Sequence, residues 1–163
     1  MRTQFNIATL ADHPQAAPIL ARWCYDEWGR DDGLSLQDEI NRFERALRAD
    51  TLPLVLIARD KSDVIACAQL KTAEMPQFPE LTYWLGGVYV AAPFRGQGVG
   101  RLLIEAVEQQ ARQSGIATLH LQTEALSGGL YAAMGWQPMF NTVNHGVEVL
   151  VMRRELAQAE LSA

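Results

Sequence analysis

Residues 88–101 read Val-Tyr-Val-Ala-Ala-Pro-Phe-Arg-Gly-Gln-Gly-Val-Gly-Arg. A β-rich run ends, Pro93 breaks it, and three glycines alternate at positions 96, 98 and 100. Val99, Leu102, Leu103, Ala106 and Val107 then recur at helical spacing until Gly115. The segment is therefore a strand, a glycine turn and an amphipathic helix. Glycine admits positive φ and lets a ligand come close to the backbone. The first amides of the following helix lack partners within it and sit at the positive end of its dipole. Such a turn binds phosphate oxygens, with Arg95 and Arg101 as added charge. No Gly-Lys-Ser/Thr follows, so it is not a Walker loop, and the spacing Gly96, Gly98, Gly100 is not Gly-x-Gly-x-x-Gly.

Upstream, 52–58 and 64–70 are β-rich runs separated by Arg59-Asp-Lys-Ser-Asp63, which predicts a hairpin. Residues 81–90 predict a third strand, and Gly86-Gly87 in its middle predicts a bulge or a close backbone approach. A short first strand is expected over 5–10. Asp12 with Gln15 offers a helix cap, and Ile19, Leu20, Trp23 and Cys24 form one apolar stripe. Pro18 does not suit a helix interior, so this helix either starts later than Asp12 or kinks. Residues 28–33 read as a loop. Ser35 with Asp38 resembles a capping box before a second helix carrying Leu36, Ile40, Phe43 and Leu47. Downstream, 117–123 alternates as a strand does, and 127–134 fits a short helix capped by Ser127. Two last strands, near 136–141 and 147–152, flank a turn at Asn144-His145-Gly146. The order β-α-α-β-β-β-α-β-α-β-β describes an α/β mixed sheet with helices on its faces. Its one crossover demands a right-handed parallel pairing of the strand at 81–90 with the strand at Leu119.

The chain of 163 residues is the length of one domain, spanning 1–163. Apolar residues make up 48% and charged residues 20%, which marks a globular chain and not a disordered one. No apolar run approaches the ~18 residues of a membrane span, and the first twenty residues lack the pattern of a signal peptide. A cytoplasmic protein without a membrane partner is expected. The net charge of −5 argues against a nucleic-acid partner. Cys24 and Cys67 read as buried free thiols. His13, His120 and His145 are scattered without metal-ligand spacing, so no metal is expected.

The turn Arg95-Gly96-Gln97-Gly98-Val99-Gly100 resembles the acetyl-coenzyme A signature Arg/Gln-x-x-Gly-x-Gly/Ala of the GNAT N-acetyltransferase superfamily. The later Tyr131-Ala-Ala-Met-Gly135-Trp136 is similar to that family's Tyr-x-x-x-Gly-aromatic element. The order of elements fits the family's acyltransferase fold over nearly the whole chain. The resemblance implies acetyl-CoA as co-substrate, with its pyrophosphate on the amides of Arg95, Gly96, Gln97, Gly98, Val99, Gly100 and Arg101. It implies a pantetheine arm along the backbone of Val88, Tyr89 and Val90, beside a bulge. It implies direct attack of an amine on the thioester in a ternary complex, with Tyr131 as the acid near the sulfur. Family members often dimerise, so a homodimer is a further expectation.

A phenol titrates ~1.5 units above a thiol, so full proton transfer from Tyr131 is uphill by ~2 kcal/mol unless its pKa is lowered. The base is open among Glu124, His120, Glu80 and Glu74. Glu124 stands where many members carry an asparagine that contacts the cofactor, which favours it as a catalytic carboxylate. In the family the acceptor is met by the first two helices and the last hairpin, here Tyr25-Asp26-Glu27-Trp28 and 141–146. Glu27 and Trp28 are the expected substrate contacts, and Asp26, Glu27, Asp31 and Asp32 form an acidic cluster suited to a cationic amine. The expected activity is an N-acetyltransferase (an acyltransferase) acting on a small-molecule or peptide amine. The alternative is a non-catalytic acyl-CoA-binding sensor; a third reading, a mononucleotide-binding domain, is disfavoured because this sequence lacks a Walker lysine and repeated parallel β-α units.

Overall fold

The computed structural model describes residues 5–48 and 51–156. Its strands are β1 (Asn6–Thr9), β2 (Leu54–Asp60), β3 (Asp63–Thr72), β4 (Tyr83–Val90), β5 (Thr118–Thr123), β6 (Gln137–Asn144) and β7 (Val147–Glu155). They form one seven-stranded sheet in the order β1-β2-β3-β4-β5-β7-β6. The hairpins pair antiparallel, and β4 with β5 is the parallel crossover that the sequence demanded. The last hairpin is inserted through its second strand: β5 pairs with β7, which leaves β6 at the edge. Its turn has two residues, His145 (φ 48°) and Gly146 (φ 79°), because Asn144 still pairs with Val147.

Two irregularities of β4 shape the molecule. On β3 the register advances two residues, from Cys67 to Gln69, while β4 advances three, from Tyr89 to Gly86. The extra residue is a bulge at Gly87-Val88, as the paired glycines predict. Gly87 has φ 57°, and a Cβ there would stand 2.5 Å from Gln69 Nε2. On its other edge β4 meets β5 at a single pair, Trp84 with His120, after which the strands part.

The helices are α1 (Ala17–Cys24), α2 (Leu36–Arg45), α3 (Val99–Gln113) and α4 (Gly129–Ala133). Asp12 caps nothing; two 3₁₀ turns precede α1, and Pro18 lies in its first turn, where a missing N–H costs no helical bond. α1 continues as a π-helical turn over Tyr25–Gly29, so the predicted loop at 28–33 begins inside a helix. The capping box of α2 is complete: Asp38 N donates to Ser35 Oγ at 3.0 Å, and Ser35 N to Asp38 Oδ2 at 2.9 Å. The expected Ser127 cap of α4 does not form. Gly128 (φ 88°) takes that place, because a Cβ there would stand 2.8 Å from Ala132 Cβ and 3.0 Å from Met152 Cε.

Both faces of the sheet are covered, which explains the nearly unbroken apolar run of β2. Leu56 and Ala58 face α3 and its Leu103, Ile104 and Val107. Val55 and Ile57 face α1 and α2, with Leu20, Phe43 and the free thiols Cys24 and Cys67. Among the described residues no helix is long and apolar enough to cross a membrane.

Candidate active site

The chain leaves β4 through a 3₁₀ turn at Ala92–Phe94 and reaches α3 through Gly96 (φ 76°) and Gly98 (φ 84°), its N-cap. The first helical bond runs from Leu102 N to Gly98 O at 3.1 Å. The amides of Val99, Gly100 and Arg101 precede it and lack helical partners. A Cβ on Gly96 or Gly98 would meet nothing within 4 Å, so the turn opens onto free space. Gly100 serves packing instead: its would-be Cβ stands 3.6 Å from Val90 Cγ2. Two of the expected polar side chains are used inside the turn. Arg95 Nε donates to Val90 O at 2.8 Å with its guanidinium 5.4 Å from the Tyr89 ring centre, and Gln97 Nε2 donates to Pro93 O at 3.2 Å. Arg101 is exposed in the first turn of α3.

Where β4 and β5 part, a cavity of about 420 Å³ opens. Glu27, Trp28, Val88, Glu124 and Tyr131 line it, as do Asp31 and Asp32 of the expected acidic cluster and the base candidate Glu74, whereas Asp26 is outside it and pairs with Arg22 and Arg30. Glu27 and Trp28 come from the π turn, and Trp28 stands edge-on to Tyr89 at 6.5 Å. The remaining expected cofactor contacts, Tyr89, Val90 and residues 95–101, lie outside its wall. Tyr89 is stacked on Trp23 at 5.1 Å, so its side chain anchors α1. Glu124 is exposed at the cavity. Of the other proposed bases, Glu80 is exposed away from the cavity, and His120 is buried beside Trp84, where burial lowers its pKa.

A polar relay crosses the gap between the parted strands. Lys71 pairs with Glu74, Gln122 Nε2 donates to Glu74 Oε1 at 3.2 Å, and Asn144 Nδ2 donates to Gln122 Oε1 at 2.9 Å. Gly86 leaves room for it, since a Cβ there would stand 3.1 Å from Glu74 Oε2. Glu74 thus lies on the cavity wall as a paired carboxylate.

Tyr131 stands edge-on to Trp136 at 6.2 Å. Burial raises its pKa above the ordinary phenol value. The end of α4 is tied down from β7: Arg154 Nη1 donates to Met134 O at 2.9 Å, and Arg154 Nε stands 3.2 Å from Glu108 Oε1 on α3. Gly135 (φ 98°) lies directly under that arginine. The glycine of the Tyr-x-x-x-Gly-Trp element is therefore the residue over which Arg154 passes.

The structure adds Glu39 to the cavity wall. It is 2% exposed, burial raises its pKa, and Arg42 Nη1 approaches only to 3.7 Å. The signal was present in the sequence: Glu39 sits three residues after Leu36 and four before Phe43, on the apolar stripe of α2. A carboxylate at a core-facing helical position is costly unless it is paired and hydrogen-bonded.

Comparison with known proteins places this geometry in context. The model of the acetyltransferase (GNAT) family matches residues 16–136. The fold is similar to that of yncA from Salmonella typhimurium, a candidate acetyltransferase solved with its cofactor acetyl-CoA (17% identity, TM-score 0.72, 96% of each chain). It is also similar to a ribosomal-protein-alanine N-acetyltransferase from Brucella melitensis (22% identity, TM-score 0.69, 94% of this chain and 99% of that one). An aminoglycoside 6'-acetyltransferase type Ii matches as well (15% identity, TM-score 0.72, 94% and 99%).

Proposed function

The chain belongs to the acetyltransferase (GNAT) family, and from that premise we propose that residues 1–163 form one N-acetyltransferase domain, which moves the acetyl group of acetyl-CoA onto a primary amine of a small molecule or peptide. One observation supports this most. The cavity lies where β4 and β5 part, and both the bulged strand at Val88 and Tyr131 stand on its wall.

The residues present suit acetyl-CoA. The open glycine turn and the amides of 99–101 fit a pyrophosphate, and the edge of β4 beyond Trp84 is unpaired toward β5, leaving backbone groups for the pantetheine arm. Acetyl-CoA supplies an activated thioester. The amine nitrogen attacks its carbonyl carbon, a C–N bond forms, the C–S bond breaks, and coenzyme A leaves as the thiol with one proton from the amine. Tyr131 stays protonated at neutral pH, since burial moves it further above a thiol. Its role is to donate a hydrogen bond to the departing sulfur, not to surrender its proton. Glu124, exposed at the cavity, receives the proton of the entering ammonium, and Glu27 with Trp28 contacts the acceptor.

Calorimetry with acetyl-CoA, followed by thiol release over a panel of amines, tests the reading. Tyr131→Phe is expected to lower kcat by about 10- to 100-fold, with acetyl-CoA affinity within about twofold. Absence of acetyl-CoA binding overturns the assignment. Binding without turnover on any amine moves it to a sensor.

A further inference from the structure

The carboxylates of the cavity outnumber its cations. Glu27, Asp31, Asp32, Glu39, Glu74 and Glu124 line it, against Lys71 and Arg42. Lys71 neutralises Glu74 by direct contact, whereas Arg42 stays beyond hydrogen-bond length of Glu39. His145, 4.0 Å from Asp32 Oδ1, adds charge only when protonated. Counting formal charges without His145, six carboxylates less two cations leave the wall four negative charges in excess.

An acidic rim by itself is a solvated surface. Glu39 is different, because it is 2% exposed and its Oε2 is sealed from water with no hydrogen-bond partner. The chain makes space for this carboxyl: a Cβ on Gly29, at the end of the π turn, would stand 3.1 Å from Glu39 Oε1. Burial raises the pKa of Glu39, Arg42 and Lys71 offset only part of that, and Asp32 adds its repulsion. A buried carboxylate that its neighbouring cations compensate only in part, with a second carboxylate beside it, gains from a further cation.

We propose that Glu39, with Asp32 and the ring of Trp28, holds a second, protonated nitrogen of the acceptor, so that the substrate is a compact diamine or polyamine, acetylated at one nitrogen and anchored by the other. The inference rests on the acetyltransferase reading for the reacting nitrogen only. A cavity of about 420 Å³ suits a ligand of this size. The aromatic face of Trp28 adds a favourable wall for an ammonium. The anchored charge also lowers the pKa of the reacting nitrogen, which eases the loss of its proton.

The test compares 1,4-diaminobutane with 1-aminobutane. Calorimetry is run with and without coenzyme A, and thiol release is measured with acetyl-CoA. The diamine is expected to bind at least about tenfold more tightly and to show a similar advantage in kcat/KM, as a charge-assisted contact supplies. Glu39→Gln and Asp32→Asn are each expected to cut that advantage below about threefold. If Glu39→Gln fails to fold, Asp32→Asn, on an exposed loop, carries the same comparison. Equal binding of the two amines by the unaltered protein, or an advantage kept in the variants, overturns the proposal. Amine binding is read without turnover, so the outcomes separate. Loss of acetyl-CoA binding sinks the acetyltransferase reading, and loss of the diamine preference sinks only this one.

Discussion

At the scale of single residues, Glu39 carries a cost that a stability measurement can see. Its folded-state pKa lies above the ordinary 4.5, chiefly through burial; Arg42 and Lys71 offset this only in part, and Asp32 and Asp38 add to it. The unfolded chain therefore ionises first. The carboxyl's contribution to stability is full below about pH 4.5 and is lost as pH rises through the folded pKa. Glu39→Gln is expected to melt above the unaltered protein at pH 7–8, with the gap closing near pH 4; melting curves in which the variant is the less stable at pH 7–8 would refute the net cost of this burial. A more stable variant with poorer amine binding is the signature of a residue kept for function. Gly135 makes the second case. At φ 98°, and with Arg154 lying over it, Gly135→Ala must both strain the backbone and displace the arginine from Met134 O and Glu108. We expect a loss of about 2–3 kcal/mol in urea unfolding and a drop in kcat, because the end of α4 no longer fixes Tyr131.

At the scale of elements, the turn from β4 into α3 is a local structure, and that is why the sequence reveals it. Strand, glycines, first-turn amides and apolar stripe all lie within 88–107. Gly98→Val tests its function: the side chain would project into the open space above the amides at φ 84°, and acetyl-CoA affinity should fall at least about tenfold in calorimetry, while Gly100→Ala, in ordinary packing distance of Val90, should fall much less. The bulge was legible for the same reason, since adjacent glycines such as Gly86-Gly87 weaken a regular strand and suit a bulged one. The capping box of α2 was legible because both partners are three residues apart. Other features depend on distant parts of the chain. Gly128 replaces Ser127 as the cap of α4 because Met152 of β7 is packed there, and α1 overruns into a π turn whose glycine faces the Glu39 carboxyl. Nothing within either segment announces those neighbours.

For the whole molecule, the same division separates the two halves of the site. The proposed cofactor side is one continuous segment, whose spacing reads as a phosphate-binding turn; the resemblance to the family is what implies acetyl-CoA there. The proposed acceptor side gathers positions 27, 28, 31, 32, 39, 71, 74, 122–124 and 144–145 onto one cavity. Such gathering requires the register of β5 against β7 and the order of the last hairpin, which strand patterns alone do not specify. Glu74, Gln122 and Asn144 appear in the sequence as ordinary polar residues and become a relay only once the strands are placed. The net charge of −5 likewise hides an uneven distribution: carboxylates crowd the cavity, while Arg101 stands at the glycine turn. The lone bridge between Trp84 and His120 has a kinetic consequence. Beyond it, one wall of the cavity is a gap in the sheet, and a ligand lying along β4 would complete that wall. Reactants should therefore add in sequence, acetyl-CoA before amine. Coenzyme A should inhibit competitively against acetyl-CoA and noncompetitively against the amine; product-inhibition patterns of random addition would show that the chamber is already whole when the gap is empty.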